Sequence, residues 1–149
     1  MMNDLAAIGE IASRLATHFS GDTPVVHVSG FTSVAELGPM EAAGAPVGSF
    51  HPLQTLPDPE RGAAALAGSW VAVTTTDPGL ARLLGDYAES LDMLPFDLAD
   101  DAKPRYHAAA AAASNYVVEA LAVSADLLVS VGVDPAVAEP LIRRVVENV

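Results

Sequence analysis

Apolar residues recur at three- and four-residue steps between Asp4 and Phe19, at Leu5, Ile8, Ile11, Ala12, Leu15 and Phe19, which predicts an amphipathic helix. Ser20-Gly21-Asp22 ends it. The β-branched run Val25-Val26-His27-Val28 then predicts a buried strand that turns sharply at Ser29-Gly30. A second helix is expected from Ser33 to Ala43, with Gly44 as its stop. Ala45 to Phe50 reads as a short strand leading straight into His51-Pro52, and the proline-bearing stretch Thr55 to Arg61 as loop. Trp70 to Thr75 is the clearest strand. Asp77 before Pro78 places a cap and a first-turn proline ahead of a helix through Leu80, Leu83, Leu84, Tyr87 and Leu91. Met93 to Leu98 is a last short strand.

Helix and strand thus alternate over the first hundred residues with short connections, a pattern that builds a mainly parallel sheet of about four strands covered by helices. Beyond Asp100 the strand signal stops. Pro104 opens a helix of about 28 residues ended by Gly132, and Asp134-Pro135 starts another. The expected fold class is α/β followed by all-α, with a boundary near residue 100 and neither an internal repeat nor a flexible linker.

Composition narrows what such a fold can do. The chain has 149 residues, 51% of them hydrophobic but only 5% aromatic, so the core is built from Ala, Val and Leu and needs no covalent staple. Nineteen acidic residues against seven basic ones give a net charge of −12, which argues against nucleic-acid partners and anionic membrane surfaces. No uninterrupted apolar run approaches the roughly 20 residues that span a bilayer. The N-terminal segment, with Asp4, Glu10 and Arg14 in its apolar pattern, lacks the layout of a signal peptide. Without cysteine there is no disulfide or thiolate chemistry, and a cytoplasmic location is expected.

Three stretches carry candidate chemistry. Ser29 and Gly30 stand at the carboxyl end of a strand, where open α/β sheets bind ligands, although Ser29-Gly30 could be only a turn and His27 only a strand histidine bonded to backbone. His51-Pro52 closes a second strand in the same way, and an imidazole there could face the same crevice as Ser29 and act as acid or base near neutral pH, or simply be a solvated or core-satisfied histidine. Arg105-Tyr106-His107, six alanines from Ala108 to Ala113, and Ser114-Asn115-Tyr116 form the most unusual segment. On a helix His107, Ala111 and Ser114 share a stripe with Asn115 at its flank, and the alanines let another helix or a ligand approach closely. The segment reads equally as a packing helix in a subunit interface. His27, His51 and His107 lack zinc-motif spacing, so no metal is expected. No glycine-rich phosphate loop and no Gly-x-Ser-x-Gly elbow occurs.

Taken together, Val26-His27-Val28-Ser29-Gly30, the block Gly48 to Thr55, and Tyr106-His107-Ala108-Ala109-Ala110 leading to Ser114-Asn115-Tyr116 resemble, in order and spacing, the Rossmann-like proteins that carry a C-terminal domain of unknown function 2520. The resemblance runs over nearly the whole chain. It implies kinship with 6-phosphogluconate dehydrogenase-like and pyrroline-5-carboxylate reductase-like enzymes, in which a dinucleotide domain precedes a helical dimerisation domain. On that basis residues 1–100 are the second half of a Rossmann-like domain and 101–149 a truncated helical domain. Ser29 and Gly30 would lie near the nicotinamide of NADP or NAD. His51 matches the His-Pro block of prephenate dehydrogenases, and His107 with Asn115 stands where related dehydrogenases place a catalytic lysine and asparagine, histidine replacing the lysine. His27, Gln54, Tyr106 and Ser114 are the implied substrate contacts. The resemblance also implies a preceding Gly-x-Gly-x-x-Gly unit that binds pyrophosphate through backbone amides, and a further region after Val149.

The sequence therefore reads as an internal part of an NAD(P)-dependent oxidoreductase-like protein, not expected to bind a dinucleotide alone. It contributes a small-molecule site and a homodimer interface, and another chain or segment supplies the phosphate-binding unit. Two other readings stay open. One is a homodimeric binding or scaffolding module; the other is a non-redox enzyme using His51 and His107 as acid and base.

Overall fold

The computed structural model describes residues 4–19, 21, 23–56 and 58–148, which divide into two compact units, Met1–His107 and Ala108–Val149. In the first unit α1 (Asp4–Ala16) precedes β1 (Val25–His27), a single 3₁₀ turn (Val34–Leu37) and α2 (Gly38–Ala42). Next come β2 (Val47–Pro52), α3 (Pro59–Leu66), β3 (Trp70–Thr74), α4 (Pro78–Ser90) and β4 (Leu94–Asp97). A short 3₁₀ turn (Asp100–Ala102) leads into α5 (Lys103–Ser130).

The four strands lie side by side in chain order. β1 and β2 are parallel, β3 and β4 are parallel, and the central pair β2/β3 is antiparallel, His51 facing Ala72 and Pro52 facing Val71. The mainly parallel sheet expected from the sequence is therefore mixed. The cause lies in the connection between β2 and β3. Its helix α3 has eight residues and advances about 12 Å, short of the roughly 20 Å of a six-residue strand. The chain returns to the end it left, where the Leu53 amide donates to the Trp70 carbonyl at 2.8 Å.

Helix α3 also corrects the expected loop from Thr55 to Arg61, because its first turn begins at Pro59, a residue that needs no intrahelical donor there. The predicted Ser33–Ala43 helix divides into the 3₁₀ turn and α2 at Gly38-Pro39, since proline has no N–H to continue the first turn's bonding. Gly44 (φ +97°) closes α2 as expected, its amide donating to Glu41 O while Ala45 N reaches Met40 O. The second strand starts two residues late, at Val47, and runs on through His51 and Pro52.

Strand alternation gives the sheet two distinct faces. Phe50, Val71 and Val73 turn toward α4 and form the main core with Leu80, Leu84, Ala88 and Met93. Ala12, Leu37, Met40, Ala45 and Val47 make a second cluster under α1 and α2. Ser49, His51, Ala72 and Thr74 turn to the other face, which receives the first turn of α5. The start of α4 is set by Asp77, whose Oδ1 accepts the Leu80 amide at 2.7 Å, and Thr75 Oγ1 accepts the Asp77 amide while donating to Val47 O. Asp77→Ala is expected to lower stability by about 1 kcal/mol, read as a fall in the urea midpoint at unchanged slope. Asp77→Asn should keep most of the cap, and equal losses from both would contradict it.

In the second unit α5 ends at a turn in which Gly132 (φ +75°) donates to Val129 O and Val133 donates to Leu128 O. Asp134 Oδ1 then accepts the Ala136 amide, and α6 (Ala138–Glu147) follows. Tyr116, Val118, Leu127 and Val131 on this unit are exposed. Among the described residues α5 is one helix long and apolar enough, by length and composition alone, to cross a membrane. Counting uninterrupted apolar runs overlooks it, because Ser114, Asn115, Glu119 and Asp126 punctuate the helix.

Candidate functional site

The carboxyl ends of the parallel pair β1 and β2 lie together, and His27, His51, Lys103 and Tyr106 are found there. After β1 the chain turns tightly. Ser29 Oγ accepts the Thr32 amide at 3.0 Å and the Phe31 amide at 3.3 Å and donates to Thr32 Oγ1 at 2.8 Å. Its hydroxyl thus organises its own loop. Only glycine at the next position leaves room for the His51 ring, because a Cβ on Gly30 would stand 2.6 to 2.9 Å from three of its atoms. The imidazole rests on the bare Gly30 backbone.

His51 is half-buried. Its Nδ1 shares a 2.8 Å hydrogen bond with the Tyr106 hydroxyl, and its ring meets the Tyr106 ring edge-on at 5.5 Å. Nε2 has no hydrogen-bond partner among the described residues. Burial first, then the positive charge of Lys103 and a smaller push from His107, lower the His51 pKa below the ordinary 6.5, so the ring is neutral at pH 7. Burial also raises the Tyr106 pKa, keeping its phenol protonated. Phe96 stands edge-on to Tyr106 at 6.0 Å and Trp70 edge-on to Phe96 at 6.2 Å, giving the pair an aromatic flank.

His27 is buried. Its Nδ1 accepts the Ser29 amide at 3.2 Å, which leaves the ring proton on Nε2, a buried donor without a partner among the described residues. Burial and the Lys103 charge push its pKa down to about 4, against weaker opposing pulls from the Ser33 backbone and Asp100. His27 is in effect a neutral strand histidine that closes the loop. Gln54 is exposed and bonded locally, Nε2 donating to Ala65 O and Oε1 accepting the Thr55 amide. His107 meets Phe31 edge-on at 5.7 Å. Ser114 and Asn115 belong to the second unit, where both are exposed and bonded to each other at 3.3 Å.

One further residue belongs to the site, outside the three stretches that carry candidate chemistry. Lys103, the first residue of α5 and the sole lysine, is only 1% exposed and donates to Ser29 O at 3.1 Å and Ser49 Oγ at 2.6 Å. The helix was expected to open at Pro104, with histidine replacing lysine. In fact a lysine lies one turn before His107 and reaches the same strand ends. Burial lowers its pKa, and Asp100 opposes the shift. The Asp100 carboxylate itself caps the 3₁₀ turn, accepting from Ser33 Oγ and, at 2.9 Å, from the Val34 amide. Among the described residues no three His, Asp or Glu side chains form a metal-ligand group.

This arrangement of strand ends next to the first turn of α5 can be set beside known proteins. Residues 69–149, a little over half of the chain, match the family described as Domain of unknown function (DUF2520). The chain belongs to that family. No curated protein matches the sequence significantly. Among solved structures, protein TM1727 from Thermotoga maritima superposes with a TM-score of 0.72 at 24% identity, over 91% of this chain and 53% of its own. An NADP oxidoreductase-like protein from Bacteroides fragilis, BF3122, gives 0.64 at 20% identity, over 83% of this chain and 46% of its own. Prephenate dehydrogenase from Aquifex aeolicus gives 0.54 at 20%, over 85% and 45%. The DUF2520 chain spans about half the length of these structures, and their likeness fixes its fold as Rossmann-like α/β with a helical C-terminal part.

Proposed function

We propose that this chain supplies the proton-handling, substrate-facing part of a nicotinamide-dependent oxidoreductase, while a glycine-rich unit outside it holds the dinucleotide phosphates. The observation that carries this reading is the neutral His51 ring seated on Gly30, with Nδ1 engaged by Tyr106. A ring held through one nitrogen presents the other for proton exchange. When Nε2 takes a proton from a substrate hydroxyl or amine, Nδ1–H can donate to the Tyr106 oxygen. In the reverse direction Nε2–H protonates the oxygen or nitrogen left by reduction of a carbonyl or imine. The dinucleotide would supply or accept the hydride. The residues present suit its reacting end, where the Ser29–Gly30 loop borders the imidazole. They do not suit its phosphates, because no Gly-x-Gly-x-x-Gly turn occurs and the Ser29 hydroxyl is already spent on its own loop.

In the same reading the chain works as a cytoplasmic homodimer paired through α5, where Ala108 to Ala113 allow close approach and Tyr116, Val118 and Leu127 are exposed. His107 would then serve the small-molecule substrate, with His27 and Gln54 shaping the surrounding loops. Calorimetry tests the division of labour. NADPH and NADH should show no tight binding to the chain alone and should bind once it is joined to a βαβ unit carrying Gly-x-Gly-x-x-Gly. Tight binding by the isolated chain would contradict it. Sedimentation should report a dimer; a strict monomer at micromolar concentration would remove the homodimer from the proposal.

A further inference from the structure

A lysine that is 1% exposed, at the N-terminus of a helix, is in the least favourable place for a cation: desolvated, and facing the positive end of the helix dipole. Its two hydrogen bonds go to neutral oxygens. An apolar side chain could fill the same volume without that cost, so the contacts Lys103 makes are what distinguish it. Ser29 O belongs to the peptide that leads into Gly30. Ser49 lies two residues before His51 on the same face of β2. Lys103, Tyr106 and His107 fall at i, i+3 and i+4, on one face of α5. One ammonium therefore ties together the loop under the imidazole, the strand that carries it and the helix that supplies its phenol partner.

We infer that Lys103 is a positioning residue, which holds the Gly30 backbone, β2 and the first turn of α5 at the spacing that seats His51 between Gly30 and Tyr106. It is not the proton donor, because it is sealed from solvent and two of its three protons are committed to protein oxygens. The inference takes from the proposed function only that His51 is the working group. The test reads the ring directly, so its failure is separable from failure of dinucleotide binding or dimerisation.

The test is a nitrogen-15 NMR titration of the His51 ring in the full chain and in Lys103→Met and Ser49→Ala. The charged and titratable groups facing the ring are Lys103, His107 and Tyr106. In Lys103→Met the Nδ1 resonance should move toward that of an unbonded imidazole, and the midpoint should rise toward the ordinary value as the cation is removed. Ser49→Ala keeps the charge and removes one anchor, so Nδ1 should move while the midpoint stays closer to the parent. A folded Lys103→Met whose His51 resonance and midpoint match the parent would overturn the inference. Should Lys103→Met fail to fold, an unchanged Nδ1 resonance in Ser49→Ala would overturn it as well.

Discussion

Gly30→Ala should unseat His51 while leaving the fold intact. The new methyl carbon would lie 2.6 Å from Cε1, 2.7 Å from Nε2 and 2.9 Å from Nδ1 of the ring, well inside van der Waals contact. What yields is the far end of a side chain, so the ring swings away and the sheet stays. The cost is the hydrogen bond to Tyr106 and the packing of ring on backbone, about 1–2 kcal/mol in the denaturation midpoint. The loss in any reaction that uses His51 for proton transfer is far larger, about 10²–10⁴-fold in turnover. A matching loss in His51→Gln, with no further loss in the double variant, would show that both act through the same ring. Full activity in Gly30→Ala would mean that the imidazole works from a position other than the one described.

Acid should destabilise the protein well before most carboxylates titrate. His27 is held at a pKa of about 4, against 6.5 in the unfolded chain, because burial and Lys103 both oppose its charged form. Between those values the unfolded chain carries a proton that the folded chain does not, so protons favour unfolding. The contribution is complete above pH 6.5 and is lost as pH falls through 4. It amounts to about 2 kcal/mol after allowance for solvent screening. His51 acts in the same direction, its pKa being lowered too. His27→Phe keeps a ring of similar shape but cannot titrate. It should flatten the urea-midpoint profile between pH 7 and pH 4, whatever it does to stability at pH 7. Parallel profiles for the two proteins would show that His27 is free to protonate in the folded state.

Much of this was legible in the sequence. Three- and four-residue spacing marked α1 and α4, β-branched runs marked β1 and β3, and Asp77-Pro78, Asp134-Pro135 and Gly132 set helix ends where they are found. The same logic applies at Asp58-Pro59, where a first-turn proline opens α3 within a cluster of prolines that otherwise reads as loop. Strand direction was beyond reach. Nothing local in Trp70 to Thr74 states whether it runs with or against β2, because the connection decides. Ser29, Gly30 and His51 were read as neighbours across two strand ends, and the His51 ring does lie on Gly30. The partnership of His51 with Tyr106 spans 55 residues and has no local signature. Lys103 had one, as the sole lysine, one turn before His107. Pro104, a residue suited to a first turn, masks it, because the helix opens one residue earlier at Lys103.

The proposed proton transfer turns on a neutral imidazole held at Nδ1 by a phenol, with Nε2 left for exchange. The most direct measurement is the pair of His51 ring nitrogen-15 shifts at pH 7, in the parent chain and in Tyr106→Phe. The parent should show a neutral ring with a hydrogen-bonded Nδ1, and Tyr106→Phe should move Nδ1 while leaving the ring on Gly30. Identical spectra from the two proteins, or a His51 ring that titrates like free histidine, would contradict the account.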